Sequence, residues 1–352
     1  LLLLAAACKP DKDVEEAFGA PTPMAFPMPA QPGWPARQAE PADNPLTEEG
    51  VALGRQLFYE KQLSADGTVS CGSCHQQSKA FADGRARALG VGGQQHRRNS
   101  MALVNLAWDA SFTWDGASPT LEKQARVPLE NPVEMHQSLA ASAAKLQQLP
   151  DYPRLFGKAF GSSKITEDNI LKALAQFERT LVSYNSKFDR SRRMEAVLSA
   201  DEQAGLTLFN THSAGSINGA ECFHCHVPPS FAGIRDFKNN GMDLAPFADP
   251  GRGGVTGQAD DMGKFKVPTL RNIALTGPYM HDGRFQTLEQ VLDHYSDHVQ
   301  LTGSDPILLS NANNPNGRIM LSPTQKRQII AFLHTLTDTT FTKDPRFAEP
   351  RP

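Results

Sequence analysis

Apolar residues recur at helical spacing in several stretches of this chain and alternate strictly almost nowhere, so the pattern predicts a mainly α protein with sparse, short strands. Ile170, Leu174, Phe177 and Leu181 follow one another along a helical face after a polar start at Thr166. Near the other end, Ser322 can cap and Pro323 can take the first position of a helix carrying Ile329, Ile330, Leu333 and Leu336. A capping-box pattern, Thr287-Leu-Glu-Gln290, opens a third helix through Leu288, Val291, Leu292 and Tyr295, which turns Tyr295 toward the core. The pattern is also repeated. Gly54, Leu57 and Phe58 precede Cys71 at the same offsets by which Gly205, Leu208 and Phe209 precede Cys222, and Phe81 and Phe231 follow. Each half then closes on one of the amphipathic helices, which divides the chain into domains at 46–196 and 197–352, each of about 150 residues.

The repeated stretch carries chemistry. Cys71-Gly-Ser-Cys74-His75 and Cys222-Phe-His-Cys225-His226 are both C-x-x-C-H runs. Two cysteines so spaced can each form a thioether to one haem vinyl group, and the adjacent histidine then reaches the iron. A bare C-x-x-C would also suit a thioredoxin-like redox pair or half a zinc site. Of the five cysteines, however, no further pair is left to complete a zinc site. The motifs therefore imply two covalently bound c-type haems with His75 and His226 as axial ligands. Helix, motif, loops and closing helix is the order of a small cytochrome c domain, so the expected fold is two such haem domains in tandem, with long loops wrapping the haems.

A net charge of -3 supplies no basic field, which excludes nucleic acid as an expected partner. No run after the first few residues is apolar for the length of a membrane span. Residues 1–8, Leu-Leu-Leu-Leu-Ala-Ala-Ala-Cys, have the character of the end of an export signal. Cys8 sits as in a bacterial lipoprotein box, although that pattern prefers a larger aliphatic residue than Ala5; ordinary cleavage after Ala7 would instead leave a free thiol. Either route leads to the periplasm of a Gram-negative bacterium, where c-type haem attachment is completed. Residues 9–45 are rich in proline and read as a tether, with Phe26 and Trp34 able to pack on the body.

The first half carries further stretches: Phe81-Ala-Asp-Gly84, Arg98-Asn-Ser100, Trp114-Asp-Gly116, Leu121-Glu-Lys-Gln124 and Asn131-Pro-Val-Glu-Met135. The second half has Lys266-Val-Pro-Thr-Leu-Arg-Asn272 and Pro278-Tyr-Met-His-Asp-Gly283. From about Pro45 to Leu336 the chain resembles the bacterial di-haem cytochrome c peroxidases and their relative MauG, the di-haem enzyme that matures methylamine dehydrogenase. The resemblance implies an oxidoreductase acting on hydrogen peroxide, with Gln124 and Glu134 over the open face of the first haem. The residue types suit the task. A carboxylate can take the proton from one peroxide oxygen and return it to the departing one, and an amide can hold the peroxide without adding charge. On the residues alone, Glu134 could instead occupy the first turn of a helix around His136–Leu146, where the dipole favours an acid. Many members of the family close this haem with a distal histidine until they are reduced. The matching residue here is Val91, which cannot ligate iron, so the site is expected to be open without reductive activation, as in MauG. His96 is the nearest residue that could close the iron in place of Val91, but beside Arg97 and Arg98 it is expected in solvent or at a propionate.

At the second haem the resemblance implies Tyr295 as distal ligand, where many peroxidases have methionine. A phenolate stabilises ferric and higher states. A core tyrosine, with Met280, Met262 or His298 as ligand, is the alternative. Trp114 matches the tryptophan that relays electrons between the haems. Asn99, with the carbonyls of Thr276 and Pro278, matches a Ca²⁺ site of oxygen ligands. His281 is expected at a propionate, and His224 to be exposed. The leading expectation is a peroxidase reduced by a small cytochrome c or cupredoxin. The second is a MauG-like oxidase that modifies tyrosine or tryptophan of a protein substrate, and the third a plain di-haem electron carrier. The family often forms homodimers.

Overall fold

A computed structural model describes residues 18–27, 33–214, 217–233, 235–309 and 318–351; Cys8 lies outside them. The first half contains α1 (Glu48–Tyr59), α2 (Cys71–Cys74), α3 (Leu121–Glu130), α4 (Leu139–Gln147), α5 (Tyr152–Phe160), α6 (Glu167–Arg179) and α7 (Lys187–Arg192). The second contains α8 (Ala200–Phe209), α9 (Gly253–Thr256), α10 (Leu288–Asp293) and α11 (Pro323–His334). Among the described residues, strands are confined to two antiparallel pairs of two-residue strands, β1 (Ser213–Ala214) with β2 (Ile217–Asn218) and β3 (Phe237–Lys238) with β4 (Phe265–Lys266). The molecule is thus mainly helical, and among the described residues no helix is long and apolar enough to cross a membrane.

The helices begin where the side chains can cap them. Thr166 accepts from the Asn169 amide, and Ser199, Thr287 and Ser322 each form a reciprocal capping box. The expected apolar faces of the closing helices are buried except that Ile330 is only partly buried, with Phe332 fully buried in its place, and Leu181 and Leu336 are buried just beyond the helix ends at Arg179 and His334.

The repeat extends to the helix contacts. Gly54 of α1 lies so close to α6 that a Cβ there would stand 1.9 Å from the Ala173 carbonyl oxygen and 2.9 Å from Phe177 Cβ. Gly205 of α8 meets α11 in the same way, 1.9 Å from the Gln328 oxygen and 2.9 Å from Phe332 Cβ. Neither obstacle is a flexible side-chain end, so both helix pairs must separate to admit a methyl group. Gly54→Ala is therefore expected to destabilise the fold by about 1–3 kcal/mol, read as a lowered denaturation midpoint.

Beside a small cluster of Ala107, Trp108 and Val182, two large buried clusters result among the described residues. One joins Leu57, Phe58 and Phe81 to Ile170, Leu174 and Phe177, and the other joins Phe209 and Phe231 to Leu292, Ile329 and Phe332. The expected boundary at 196/197 is crossed at two places. Phe188 belongs to the second cluster, whereas Phe341 and Phe347 return to the first. The C-terminal segment is tied there because Tyr59 Oη donates to the Phe347 carbonyl (2.7 Å) and Arg55 Nε to that of Ala348 (2.7 Å).

The described parts of the proline-rich stretch lie against the body. Trp34 and Phe26 pack on buried Trp108 at 4.7 and 5.6 Å between ring centres, and Trp108 Nε1 donates to the Pro35 carbonyl. Between the halves, Arg98 pairs with Asp249 (2.8 Å) and Lys266 with Asp109 (2.9 Å), while Asp115 of the first half holds Arg98 from its own side (2.6 Å). Burial works against the charge on Asp249, but the hydrogen bonds from Arg98 hold its carboxyl down at about 2.

Candidate active site

Both C-x-x-C-H motifs open onto one continuous cavity of about 530 Å³, bordered by Cys71, Cys74 and His75 from one half and Cys222, Cys225 and His226 from the other. The two histidines are prepared as iron ligands in the same way. His75 Nδ1 lies 2.8 Å from the Phe81 carbonyl, and His226 Nδ1 lies 3.3 Å from that of Phe231 and 3.1 Å from that of Pro268. A carbonyl only accepts, so each Nδ1 carries the hydrogen and leaves the Nε2 lone pair for a metal. Burial lowers both imidazoles below the ordinary histidine value, His226 to about 4, which keeps them neutral. The four cysteines are not disulfide-bonded, and burial pushes the Cys74 and Cys225 thiols up to about 11. A reactive dithiol needs the opposite shift. An apolar-walled cavity, paired thiols and a presented imidazole in each half fit two covalently attached haems.

Glu134 and Gln124 border this cavity. Gln124 stands on α3; Glu134 belongs to the turn that follows it. Asn131 Nδ2 donates to Glu134 Oε1 (2.8 Å), and the Glu134 carbonyl accepts from the Val91 amide (2.8 Å). The helix-dipole alternative for Glu134 fails, because α4 starts only at Leu139, capped by Ser138. His96 also differs from expectation: its Nε2 lies 3.1 Å from Glu134 Oε1, and both residues border the cavity. The hydrogen bond to Glu134 raises the His96 imidazole above its ordinary value, against the effect of burial. The pair's stabilisation is therefore complete below the ordinary histidine value and is lost as pH rises through the raised one. A protonated His96 donates its Nε2 hydrogen to Glu134 Oε1, so that oxygen is occupied when peroxide arrives. Reaction with peroxide is expected to quicken as pH rises through the His96 titration, and His96→Gln to remove that step from the pH–rate profile.

Tyr295 is carried on a π-helical turn, His294–His298, that widens the end of α10. Such turns frequently mark functional positions. Tyr295 borders the cavity, and burial pushes its hydroxyl well above the ordinary tyrosine value, with Cys225 and Cys222 near enough to add to the effect. Of the alternative ligands, Met280 borders the cavity, whereas His298 is exposed and bonded to Asp297 and the Asp293 carbonyl. Met262 lies against Gly253. Trp114 spans the junction: its Nε1 donates to the Asn99 carbonyl (2.8 Å), and its own carbonyl accepts from the Lys266 amide (2.7 Å). Asn99, Thr276 and Pro278 all border the cavity, and the Asn99 amide donates to the His281 carbonyl (2.7 Å), which joins their loops. His281 is buried and stacked on Phe265 at 3.8 Å.

Glu178 of α6 escapes sequence reasoning. It is 5 % exposed and borders the cavity, and burial raises its carboxyl to about 8 despite neighbouring Arg179. The only signal was an acid on the buried face of an amphipathic helix.

A family model described as "Di-haem cytochrome c peroxidase" matches residues 48–196. Over 86% of its length the chain is 39% identical to the methylamine utilization protein MauG of Methylorubrum extorquens, covering 82% of that protein. It is 35% identical to the cytochrome c551 peroxidase of Nitrosomonas europaea, over 84% of this chain and 82% of the other. Among solved structures, a MauG-like protein associated with microbial copper homeostasis superposes with a TM-score of 0.79 at 37% identity, covering 91% of this chain and 98% of that one.

Proposed function

The chain belongs to the family of di-haem cytochrome c peroxidases and MauG, peroxide-using oxidoreductases, and on that premise we propose that its own peroxide chemistry is done by Glu134 and Gln124 in the half that carries His75. The observation that carries this reading is a carboxylate, hydrogen-bonded by Asn131 and His96, that borders the same cavity as Gln124 and the His75 motif. Cys71, Cys74 and His75 would hold a haem, which would supply the electrons for cleavage of the peroxide O–O bond. Gln124 holds the peroxide by hydrogen bonds. Glu134 takes the proton from one oxygen and delivers it to the leaving one, so that water departs. Asn131 fixes the Glu134 carboxylate for both transfers.

The tandem domains at 46–196 and 197–352 then divide the labour: the first serves peroxide cleavage, and in the second His226 and Tyr295 would hold the other haem, which would store an oxidising equivalent. Trp114, bonded to both halves, relays electrons between them. A Ca²⁺ ion on Asn99 and the carbonyls of Thr276 and Pro278 would fix the junction. The enzyme works in the periplasm, with Cys8 as lipid anchor. A small cytochrome c or cupredoxin restores it.

Val91 and Tyr295 favour a second reading, a MauG-like oxidase that modifies tyrosine or tryptophan of a protein substrate. The test is to mix fully oxidised, never reduced protein with one equivalent of peroxide and follow the Soret and near-infrared absorption. Immediate change is expected. A new near-infrared band favours the MauG-like reading, and steady turnover with a small redox protein favours the peroxidase. If nothing changes until an electron is added, the open first site is wrong.

A further inference from the structure

Outside the cavity's chemistry, three side chains converge where the second motif meets the hairpin before it. His224 Nε2 lies 2.7 Å from Glu221 Oε2, His212 Nδ1 lies 3.3 Å from the same oxygen, and the two imidazole nitrogens are 3.1 Å apart. Among the described residues no other trio of histidine, cysteine, aspartate or glutamate ligand atoms comes together in this way. His224, expected to be exposed, is thus partnered, and its side chain is only 26% exposed.

The local chain is shaped to bring the three together. The β1–β2 hairpin returns the backbone so that the Ala220 amide donates to the Leu208 carbonyl (2.9 Å). Gly219 lies so close to Thr211 that a Cβ would stand 1.9 Å from its oxygen, which lets Glu221 reach the level of His212. Glu221 itself adopts φ 59°, a left-handed conformation uncommon for a residue with a side chain, and immediately precedes the turn Cys222–His224. The Glu221 side chain is 7% exposed, while that of His212 is 63% exposed.

Hydrogen bonding alone uses this arrangement poorly. Two imidazole nitrogens turned to one carboxylate oxygen and to each other cannot both donate to it and also satisfy one another. A cation between them would engage all three lone pairs. Ligands about 2.1 Å from a metal lie about 3.0 Å apart at right angles and about 3.4 Å apart in a tetrahedron, so the 3.1 and 3.3 Å spacings agree and the 2.7 Å one has only to open by about 0.3 Å. Two imidazoles and a carboxylate suit borderline transition ions rather than Ca²⁺ or Mg²⁺, which prefer all-oxygen sets.

We propose that His212, Glu221 and His224 bind one divalent first-row transition ion of the Zn²⁺ or Cu²⁺ kind, with its remaining coordination positions on the exposed side where His212 stands. Because His224 lies between Cys222 and Cys225, the ion sits at the edge of the second haem motif.

The test uses the oxidised holoprotein in excess CaCl₂, titrated calorimetrically with ZnCl₂ and, in a separate sample, with CuCl₂ followed by electron paramagnetic resonance. One ion per two haem irons is expected with at least one of the two metals, and Cu²⁺ would show hyperfine coupling to imidazole nitrogen. His212→Gln and Glu221→Gln should each weaken that binding at least tenfold while haem content and the Soret spectrum stay unchanged. Binding that is equally strong in both variants, or no binding of either metal at tenfold excess, overturns the site. Because the readout is stoichiometry and metal spectra rather than turnover, the result is independent of which reading of the enzyme holds.

Discussion

Replacing Glu134 by glutamine is expected to slow the reaction of the oxidised protein with peroxide by about 10²–10⁴-fold, the usual worth of a positioned acid–base group. Glutamine keeps the size and the hydrogen bonds to Asn131 and His96 but cannot shuttle the proton. His96→Gln should cost far less at neutral pH, since His96 acts on Glu134 and not on peroxide. Glu134→Asp, which shortens the side chain by one methylene but retains a base, should fall between. Stopped-flow absorption at the Soret band measures all three, and the undisturbed spectrum before mixing checks that the haem pocket is intact. A loss smaller than tenfold for Glu134→Gln would move the base elsewhere; Glu178, a buried carboxyl on the same cavity that is raised to about 8, would be the next residue to replace.

What could be read in the sequence was what period and spacing encode. The closing helices, their caps at Thr166 and Ser322, and the two histidine-bearing motifs depend on residues within one or two turns of each other, so the linear pattern contains them. The Gly54 and Gly205 offsets marked a repeat, and the structure gives the reason: both glycines let one helix lie against the next carbonyl. Contacts made across long stretches of chain were not legible. His96 and Glu134 meet only because the 89–95 loop folds back onto the turn after α3, and nothing local to either residue indicates the other. The same holds for the C-terminal segment, whose Phe341 and Phe347 fill the core of the opposite half. The π turn at Tyr295 was hidden for a different reason: a single extra residue in a helical turn leaves the apolar spacing almost unchanged.

The second large effect concerns stability and reaches the second haem motif. Arg271 and Asp189 form a bidentate ion pair, 2.8 Å at each contact, with both side chains fully buried. Arg271 also donates to the Pro229 carbonyl from Nε and Nη2, and Asp189 accepts from the Ser186 amide and hydroxyl. Taking away one partner leaves a charge out of water without its counter-ion, so Asp189→Ala is expected to cost about 3–5 kcal/mol, read by chemical denaturation. The pair does more than hold the core. It ties the loop ending at Phe231 to the loop containing Pro268, and these supply the two carbonyls beside His226 Nδ1. Asp189→Ala should therefore also loosen the His226 imidazole and broaden the second haem's spectrum while the first haem's spectrum stays sharp. The double variant Asp189→Leu with Arg271→Met removes both charges and should recover much of the lost stability, because an apolar pair of similar volume can replace a buried ion pair. It lacks the donors to Pro229, so the spectral change should persist. Full recovery of the spectrum would show that packing alone positions His226, and an unchanged spectrum in Asp189→Ala would show that the ion pair has no part in orienting the ligand.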